Sequence, residues 1–297
     1  MTGVLVTGIT SYLGLNLAAE LARQGHQVHG LVRPSSDRSR VQALIGLTDL
    51  HTFDGDMGNL LAIMDTVKPD TVIHLATRYL RDHIPAQVAE LVDTNVKFGA
   101  QLLEAAARAG TTSFINAGSF FQYFDVPEAR ALNLYAATKL AFEEVVAYFR
   151  DARGIRATTL ILYDVYGPGD WRPKLMHAIR GAAETGKPIP LPAEPPGVDM
   201  VYIDDAVAAF VQACRLMTTA PEKVDGKTFA VSSGQVHALT DIVAAYEAAS
   251  GRKIPVDLGT YPTPARTISA PWRGPALPGW TAEVSLAEGI RRIVAEA

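Results

Sequence analysis

The sequence Val4-Leu5-Val6-Thr7-Gly8-Ile9-Thr10-Ser11-Tyr12-Leu13-Gly14 joins an apolar strand to an amphipathic helix through a glycine-containing turn. Residues 13–24 carry leucines at helical spacing and stop at Gly25, which suits a helix C-terminus. Backbone N–H groups at such a helix start face an anion, and glycines allow its close approach. The stretch predicts a site for a dinucleotide pyrophosphate, formed by Gly8, Ser11, Tyr12, Leu13 and Gly14.

One position departs from the usual dinucleotide fingerprint. Its middle glycine is Ser11 here, so a tight strand-to-helix turn without a ligand is the alternative interpretation. The order of strand, turn and helix within the first 25 residues favours the dinucleotide site.

The rest of the chain extends this unit into a sheet. Short β-branched runs alternate with helical patterns, which is typical of βαβ units and a parallel sheet. We therefore predict an α/β fold, a Rossmann doubly wound parallel sheet with a smaller C-terminal substrate-binding part. The expected strands are 4–7, 27–32, 51–53, 71–76, 113–117, 157–162 and 229–231. The expected helices are 13–24, 86–109, 134–151, 205–217, 239–250 and one that starts at Ser285.

Proline content marks the division of the chain. The segment 187–197 holds five prolines and is excluded from helix and central strand, and 261–279 is also proline-rich. We expect residues 1–162 to form the NAD(P)-binding domain, with 201–232 returning to it. Residues 163–200 and 233–297 are expected to bind the substrate.

Composition excludes several classes of protein. A net charge of −4 argues against a nucleic-acid partner. No run approaches the roughly 20 apolar residues of a membrane span. Cys214 is the single cysteine and the seven histidines show no ligand spacing, so we expect no disulfide and no metal. The N-terminus lacks a signal-peptide pattern, and a cytoplasmic location is the default expectation.

The end of the second strand predicts which cofactor is bound. An acidic residue there favours NAD, whereas a nearby arginine accommodates the 2′-phosphate of NADP. Arg33 occupies that position, with Ser35 and Arg38 close behind. An exposed loop charge is the alternative, but a guanidinium suits a phosphate, and we predict NADP(H). Asp56 and the following Met57 are expected on the adenine side; a solvated turn is the alternative for Asp56.

Tyr135-Ala136-Ala137-Thr138-Lys139 lies in a predicted helix, where four-residue spacing puts both chemical groups on one face. An ammonium near a phenol favours the phenolate and lowers its pKa. Such a tyrosine can donate a proton to a carbonyl oxygen as hydride arrives. Ser119, past the fifth strand, could hold the same oxygen, although a turn residue is the alternative. We predict Ser119, Tyr135 and Lys139 as catalytic residues.

Together these features resemble an extended short-chain dehydrogenase/reductase of the nucleotide-sugar epimerase/dehydratase group. Segments that contribute to the resemblance are Val72-Ile73-His74-Leu75-Ala76, Thr94-Asn95-Val96, Tyr163-Asp164-Val165-Tyr166-Gly167-Pro168-Gly169-Asp170, Val201-Tyr202-Ile203-Asp204-Asp205 and Leu277-Pro278-Gly279-Trp280. The resemblance covers nearly the whole chain. It implies the same catalytic set and a homodimer that packs two helices from each subunit. It also implies cofactor contacts from Leu75, Ala76, Tyr163 and Val165, in addition to Tyr135 and Lys139.

Departures from the family pattern indicate the reaction. Dehydratases of this group have an Asp-Glu pair after the catalytic Ser or Thr, but here Ser119 is followed by Phe120-Phe121-Gln122. Epimerases generally retain NAD, whereas Arg33 favours NADP(H). We therefore predict an NADPH-dependent reductase of a keto group on a nucleotide-linked deoxysugar. The alternatives are an NDP-sugar epimerase and a non-catalytic nucleotide-sensing protein.

Evidence for the substrate is less specific. Thr77 and Phe120 are expected beside it, and Arg172, Lys174 and Arg266 are candidate clamps for a diphosphate. Arg266 falls near a position where family members contact substrate phosphates. However, Asp164 and Val198 stand where the family often has Asn and Arg, so a smaller ketone or aldehyde stays open.

Overall fold

A computed structural model describes residues 2–125, 128–262, 266–268 and 271–296. Its strands are β1 (Gly3–Thr7), β2 (Gln27–Val32), β3 (Thr48–Thr52), β4 (Thr71–His74), β5 (Ser113–Ser119), β6 (Arg156–Leu162), β7 (Asp164–Tyr166), β8 (Ile189–Leu191), β9 (Met200–Tyr202), β10 (Thr228–Val231) and β11 (Val256–Leu258). Its α-helices are α1 (Tyr12–Arg23), α2 (Met57–Val67), α3 (Val88–Val92), α4 (Phe98–Ala109), α5 (Leu134–Arg153), α6 (Leu175–Thr185), α7 (Ile203–Thr219), α8 (Leu239–Ser250) and α9 (Leu286–Ala295).

Seven parallel strands form the central sheet in the order β10-β6-β5-β4-β1-β2-β3. This arrangement confirms the predicted doubly wound sheet. The order reverses between β1 and β4, so the crevice at their carboxyl ends is where an open α/β sheet binds its ligand. The pairs β7–β9 and β8–β11 lie outside this sheet as separate two-stranded sheets.

Side-chain alternation along the strands builds one core on each face of the sheet. Val6 and Ile73 belong to the cluster that contains α1 and α7 residues. Leu5 and Val72 point the other way, into the cluster with α2, α4 and α5. All of these side chains are buried, each contributing about 1.5–3 kcal/mol through the hydrophobic effect. This double burial holds the ends of β1, β4 and β5 rigidly beside one another.

Most predicted elements agree with the structure to within a few residues. The third strand begins earlier than predicted, at Thr48, because its register with β2 pairs Thr48 with Val28. Helices α2 and α6 were not predicted. The proline-rich segment 187–197 contains only β8, in a two-stranded sheet, as expected for a segment unable to join the central one. Within the second proline-rich segment, residues 263–265 and 269–270 lie outside the described residues.

The predicted helix over 86–109 is continuous but not uniform. A short 3-10 turn and α3 lead into a π-helical turn, Asp93–Lys97, and then into α4. Such π turns widen a helix locally and are frequent at functional sites. No described helix has the length and hydrophobicity that crossing a membrane requires.

Candidate active site

Helix α5 carries the predicted catalytic pair on its buried face. The Asn133 side chain caps the first turn by accepting a hydrogen bond from the backbone N–H of Ala136 at 2.9 Å. Tyr135 and Lys139 then lie one turn apart on the same face, and both are buried. Glu143 follows one turn later on that face.

The Tyr135 hydroxyl lies where two neighbouring strands end. It is hydrogen-bonded with the side chains of Ser119, the last residue of β5, and Thr77, which follows β4. Because β4 and β5 are adjacent and parallel, their carboxyl ends bring these hydroxyls together. Ser119, a predicted catalytic residue, and Thr77, a predicted substrate contact, therefore both lie beside the Tyr135 hydroxyl.

The protonation of Tyr135 and Lys139 differs from the sequence argument, which expects the ammonium to lower the pKa of the phenol. Burial raises the pKa of Tyr135, opposed by its hydrogen bonds with Ser119 and Thr77. Burial also lowers the pKa of Lys139 to about 8, while the Glu143 carboxylate opposes that change. At pH 7 Lys139 is still mainly the ammonium, but its charge is not among the influences that set the pKa of Tyr135.

Asn95, in the π turn, orders the loop that carries Thr77. Its Oδ1 accepts hydrogen bonds from the Thr77 hydroxyl at 3.0 Å and the Arg78 N–H at 2.7 Å. Its Nδ2 donates to the Arg78 carbonyl at 3.0 Å and to Thr138 Oγ1 at 2.9 Å. Asn95 is fully enclosed. Sequence analysis named Asn95 only within a segment that contributes to the family resemblance and assigned it no role, because its partners lie far away in the chain.

The glycine turn packs closely against neighbouring backbone. A Cβ on Gly8, whose φ is +69°, would lie 2.8 Å from the Ala76 nitrogen. A Cβ on Gly14 would lie 2.3 Å from the Gly8 carbonyl oxygen. The Ser11 side chain caps α1 by accepting from the Gly14 N–H at 3.0 Å. The turn therefore packs against Leu75 and Ala76, as expected of the cofactor residues at the switch point.

The loop after β2 presents basic groups outward. Arg33 is exposed, and its backbone N–H donates to Ser36 Oγ at 2.9 Å. Arg38 Nη2 donates to Thr52 Oγ1 at 2.6 Å, beside the end of β3. The acid in this loop, Asp37, is engaged with Ser39 and Arg40. The Asp37 carboxylate is therefore already paired and does not substitute for the acidic residue that favours NAD at the end of β2.

On the adenine side, Asp56 caps α2 by accepting from the Asn59 N–H at 3.1 Å, and Met57 begins that helix. The Asp56 side chain thus already has a structural partner.

Aromatic rings lie around the hydroxyls of Ser119 and Tyr135, the two predicted catalytic hydroxyls. Tyr79 meets Tyr135 edge to face at 5.0 Å between ring centroids, and its ring lies 6.1 Å from Phe121. Phe120 contacts Phe121 at 4.5 Å and stacks on Tyr163 at 5.3 Å. We call Tyr79, Phe120, Phe121 and Tyr163 the aromatic cluster. It gives this side of the site an apolar wall that the sequence indicated only at Phe120 and Tyr163.

The three predicted clamp residues have different surroundings. Arg172 donates to both Asp170 oxygens and to the Val165 carbonyl, and lies over the Tyr12 ring. It therefore contacts the glycine turn at Tyr12, with its Nε and Nη2 donors engaged. Lys174 pairs with Asp164 at 3.1 Å.

Arg266 is exposed and is not paired with a carboxylate; its Nη2 donates to the Ala131 carbonyl at 2.7 Å, and its guanidinium lies over the Phe124 ring. It lines a cavity of about 570 Å³ together with Arg81, His83 and Asn133. Because Asn133 caps the helix that carries Tyr135, this cavity lies next to the catalytic residues. Among the described residues, no histidine, cysteine and carboxylate side chains are grouped to hold a metal ion.

Comparison with known proteins identifies the family. The model of the NAD dependent epimerase/dehydratase family matches residues 4–229. The chain belongs to that family. Membership confirms the resemblance to extended short-chain dehydrogenase/reductases and makes the protein an oxidoreductase-type enzyme, so the alternative of a non-catalytic sensor is set aside.

Individual family members share about a quarter of their residues with this chain. A probable UDP-glucuronate 4-epimerase from Rhizobium meliloti is 26% identical, with 98% of this chain and 95% of that protein aligned. A CDP-abequose synthase from Yersinia pseudotuberculosis is 24% identical over 81% of this chain and 82% of its own length. The solved UDP-glucose-4-epimerase of Stenotrophomonas maltophila, with bound NAD and formylated UDP-arabinopyranose, superposes with a TM-score of 0.88 at 21% identity, covering 100% and 98% of the two chains. That likeness demonstrates a shared fold.

Proposed function

We propose that this family member uses NADPH to reduce a keto group on a nucleotide-linked deoxysugar, as an NDP-4-keto-6-deoxyhexose 4-ketoreductase. The observation that carries the proposal is the convergence of the Ser119 and Tyr135 hydroxyls at the ends of β5 and α5. Ser119 would hold the carbonyl oxygen while Tyr135 donates its proton to that oxygen. When bound, the nicotinamide supplies the hydride to the carbonyl carbon, which completes the alcohol. Solvent then reprotonates Tyr135.

The residues of the glycine turn fit a dinucleotide. Any side chain at Gly8 or Gly14 would collide with backbone, and this close packing leaves the α1 N-terminus accessible to a pyrophosphate. Arg33, Ser35 and Arg38 would hold a 2′-phosphate at the end of β2. Tyr163, Val165, Leu75 and Ala76 would lie along the nicotinamide half, with Lys139 beside the ribose.

The cavity next to α5 suits the nucleotide-sugar substrate. Two guanidiniums, Arg81 and Arg266, line it, and paired cations are suited to a diphosphate. We assign this recognition to Arg266 and Arg81, because Arg172 and Lys174 are paired with carboxylates. The aromatic cluster, including Phe120, would contact the deoxygenated carbon of the sugar, with Thr77 near the reacting oxygen. We propose that residues 163–200 and 233–297 supply the remaining substrate contacts.

An NDP-sugar 4-epimerase is the second candidate. Two of the similar proteins described above are 4-epimerases by name, and each aligns with this chain along nearly the whole of both chains. Epimerisation would use the same Ser119, Tyr135 and Lys139, first to oxidise the sugar and then to reduce it on the other face. Retention of the cofactor is what separates the two reactions.

A panel of NDP-4-keto-6-deoxyhexoses, incubated with the purified enzyme and NADPH, tests the proposed function. We expect one NADPH oxidised for each ketone reduced, followed by absorbance at 340 nm and by mass spectrometry of the sugar. Interconversion of NDP-hexoses without net NADPH oxidation would establish the epimerase instead. A panel with no turnover of either kind would reject both.

Cofactor preference gives a separate prediction. We expect NADPH to bind at least about tenfold more tightly than NADH, because a charged hydrogen bond contributes about 1.5–3 kcal/mol. Arg33→Ala should weaken NADPH about tenfold or more and leave NADH unchanged, measured by fluorescence titration. The exposed Arg23→Ala, at the far end of α1, is the matched control. Tighter binding of NADH by the unaltered enzyme would contradict the NADP(H) assignment.

The proposal includes a homodimer in the cytoplasm. Ile84, Val88 and Val92 are exposed apolar residues in and before α3, and burying them between subunits would remove them from water. A molar mass of one chain by light scattering would contradict the dimer, and recovery of the protein in a membrane or secreted fraction would contradict the location.

A further inference from the structure

A buried chain of hydrogen bonds runs behind the catalytic residues. The Ser119 backbone N–H donates to Gln122 Oε1 at 2.7 Å. Gln122 Nε2 donates in turn to Glu143 Oε1 at 2.8 Å. The Gln122 side chain is completely buried, and a Cβ on Gly118 would lie 3.0 Å from its Oε1. One amide therefore ties the end of β5 to the middle of α5.

The far end of this chain reaches the charge of Lys139. Glu143 lies one turn beyond Lys139 on α5, and the two groups interact. Burial raises the pKa of the Glu143 carboxyl, while the hydrogen bond from Gln122 and the Lys139 charge oppose this and favour the carboxylate. From β4, His74 also faces Lys139, but burial lowers the pKa of this histidine to about 3, so it is neutral in any ordinary buffer. Near Glu143 lie Glu144 and the phenol of Tyr123. Among the described residues, Glu143 is thus the negative group that balances the Lys139 ammonium.

We propose that Glu143 and Gln122 are positioning residues that keep Lys139 charged for the cofactor and hold Ser119 in register with Tyr135. This inference rests on the proposed NADPH-binding function, although it does not depend on which carbonyl substrate is used. Gln122 links the two requirements, since the same amide accepts from the Ser119 N–H and donates to the Glu143 carboxylate. Sequence analysis mentioned Gln122 only as one of the residues after Ser119 that carry no carboxylate. In the structure, the Gln122 amide donates a hydrogen bond to the Glu143 carboxylate.

The sign of the expected pH effect follows from the burial of Lys139. Burial brings its pKa down to about 8, and the Glu143 carboxylate opposes this by stabilising the ammonium. Removing that carboxylate lets the pKa fall further, so the ammonium is lost at a lower pH. If Lys139 donates to the cofactor as an ammonium, NADPH affinity declines as the pH rises through this pKa, and the decline begins earlier without Glu143.

NADPH titrations between pH 6 and 10 test this inference without any carbonyl substrate. We expect the midpoint of the affinity loss to move down by about one pH unit in Glu143→Gln, which retains an oxygen for Gln122. Glu144→Gln, on the exposed neighbour, should retain the wild-type midpoint. Lys139→Met should abolish this pH-dependent step in NADPH affinity. An unchanged midpoint in folded Glu143→Gln, or a step that survives in Lys139→Met, would overturn the proposal.

Gln122→Met examines the other end of the chain and provides a second variant if Glu143→Gln proves unstable. It removes the amide but retains the volume, so we expect kcat to fall about tenfold with little change in KM. A wild-type kcat in this variant would remove Gln122 from the proposal. Failure of the sugar panel with a shifted Glu143→Gln midpoint would reject the substrate assignment and retain the positioning role.

Discussion

Replacing Tyr135 with phenylalanine is expected to lower kcat by about 10²- to 10⁴-fold, because general acid catalysis contributes a factor of that size. This corresponds to about 3–5 kcal/mol of transition-state stabilisation. The hydroxyl is hydrogen-bonded with Ser119 and Thr77 while its ring packs edge to face on Tyr79. Phenylalanine retains the ring packing and removes only the proton donor. NADPH affinity should therefore stay within about twofold of wild type.

The same helix offers a matched control. Tyr148 is 60% exposed and lies on the opposite side of α5 from the catalytic face, so Tyr148→Phe should leave kcat unchanged. Single-turnover measurements with saturating NADPH separate the chemical step from product release. Substantial turnover by Tyr135→Phe would show that another group donates the proton, and Tyr79, the nearest phenol ring, would be the first to test.

Substitution of Gly14 by alanine is expected to produce the largest loss of stability among these variants. The added Cβ would lie 2.3 Å from the Gly8 carbonyl oxygen, a backbone atom that cannot rotate away. Overpacking of this kind costs about 1–3 kcal/mol of unfolding free energy. It would also push α1 away from β1, so NADPH affinity should fall more than about tenfold. Chemical denaturation and cofactor titration measure the two effects.

Gly181 supplies the comparison for that substitution. It is also a helical glycine, in α6, and a Cβ there would meet nothing within 4 Å. Gly181→Ala should stabilise the protein by about 0.5–1 kcal/mol, since alanine loses less backbone entropy on folding. Equal stability changes in the two alanine variants would contradict the close packing at Gly14.

Local patterns were sufficient for the sheet and for part of the site. The strand, glycine turn and helix at residues 4–24 predicted the cofactor-binding edge, because that geometry depends on nearest neighbours along the chain. The Tyr135–Lys139 pair could be predicted because a helix brings residues four apart onto one face. Helices α2 and α6 were missed. Asp56 caps α2, but sequence analysis interpreted it as a cofactor contact and not as a helix start.

Contacts between residues that are far apart in the chain could not be predicted from those local patterns. Asn95 bonds Thr77 and Thr138, which are 18 and 43 residues away in the chain. Arg172 was predicted to contact a substrate phosphate, but the structure pairs it with Asp170 and packs it on Tyr12. No spacing rule relates such residues, since their proximity arises from the order of the strands and not from their position in the sequence.

The sequence alone therefore determined the parallel sheet, its glycine turn and the basic loop after β2, and it predicted a catalytic role for Ser119, Tyr135 and Lys139. These features depend on short-range geometry, in which period and spacing decide what lies next to what. Only the tertiary structure decided how the groups are charged and held: the burial that raises the pKa of Tyr135 and lowers that of Lys139, and the link from Ser119 through Gln122 to Glu143. The physical reason is that desolvation and buried hydrogen bonds depend on every element packed around a group, and β4, β5 and α5 meet only when the chain has folded.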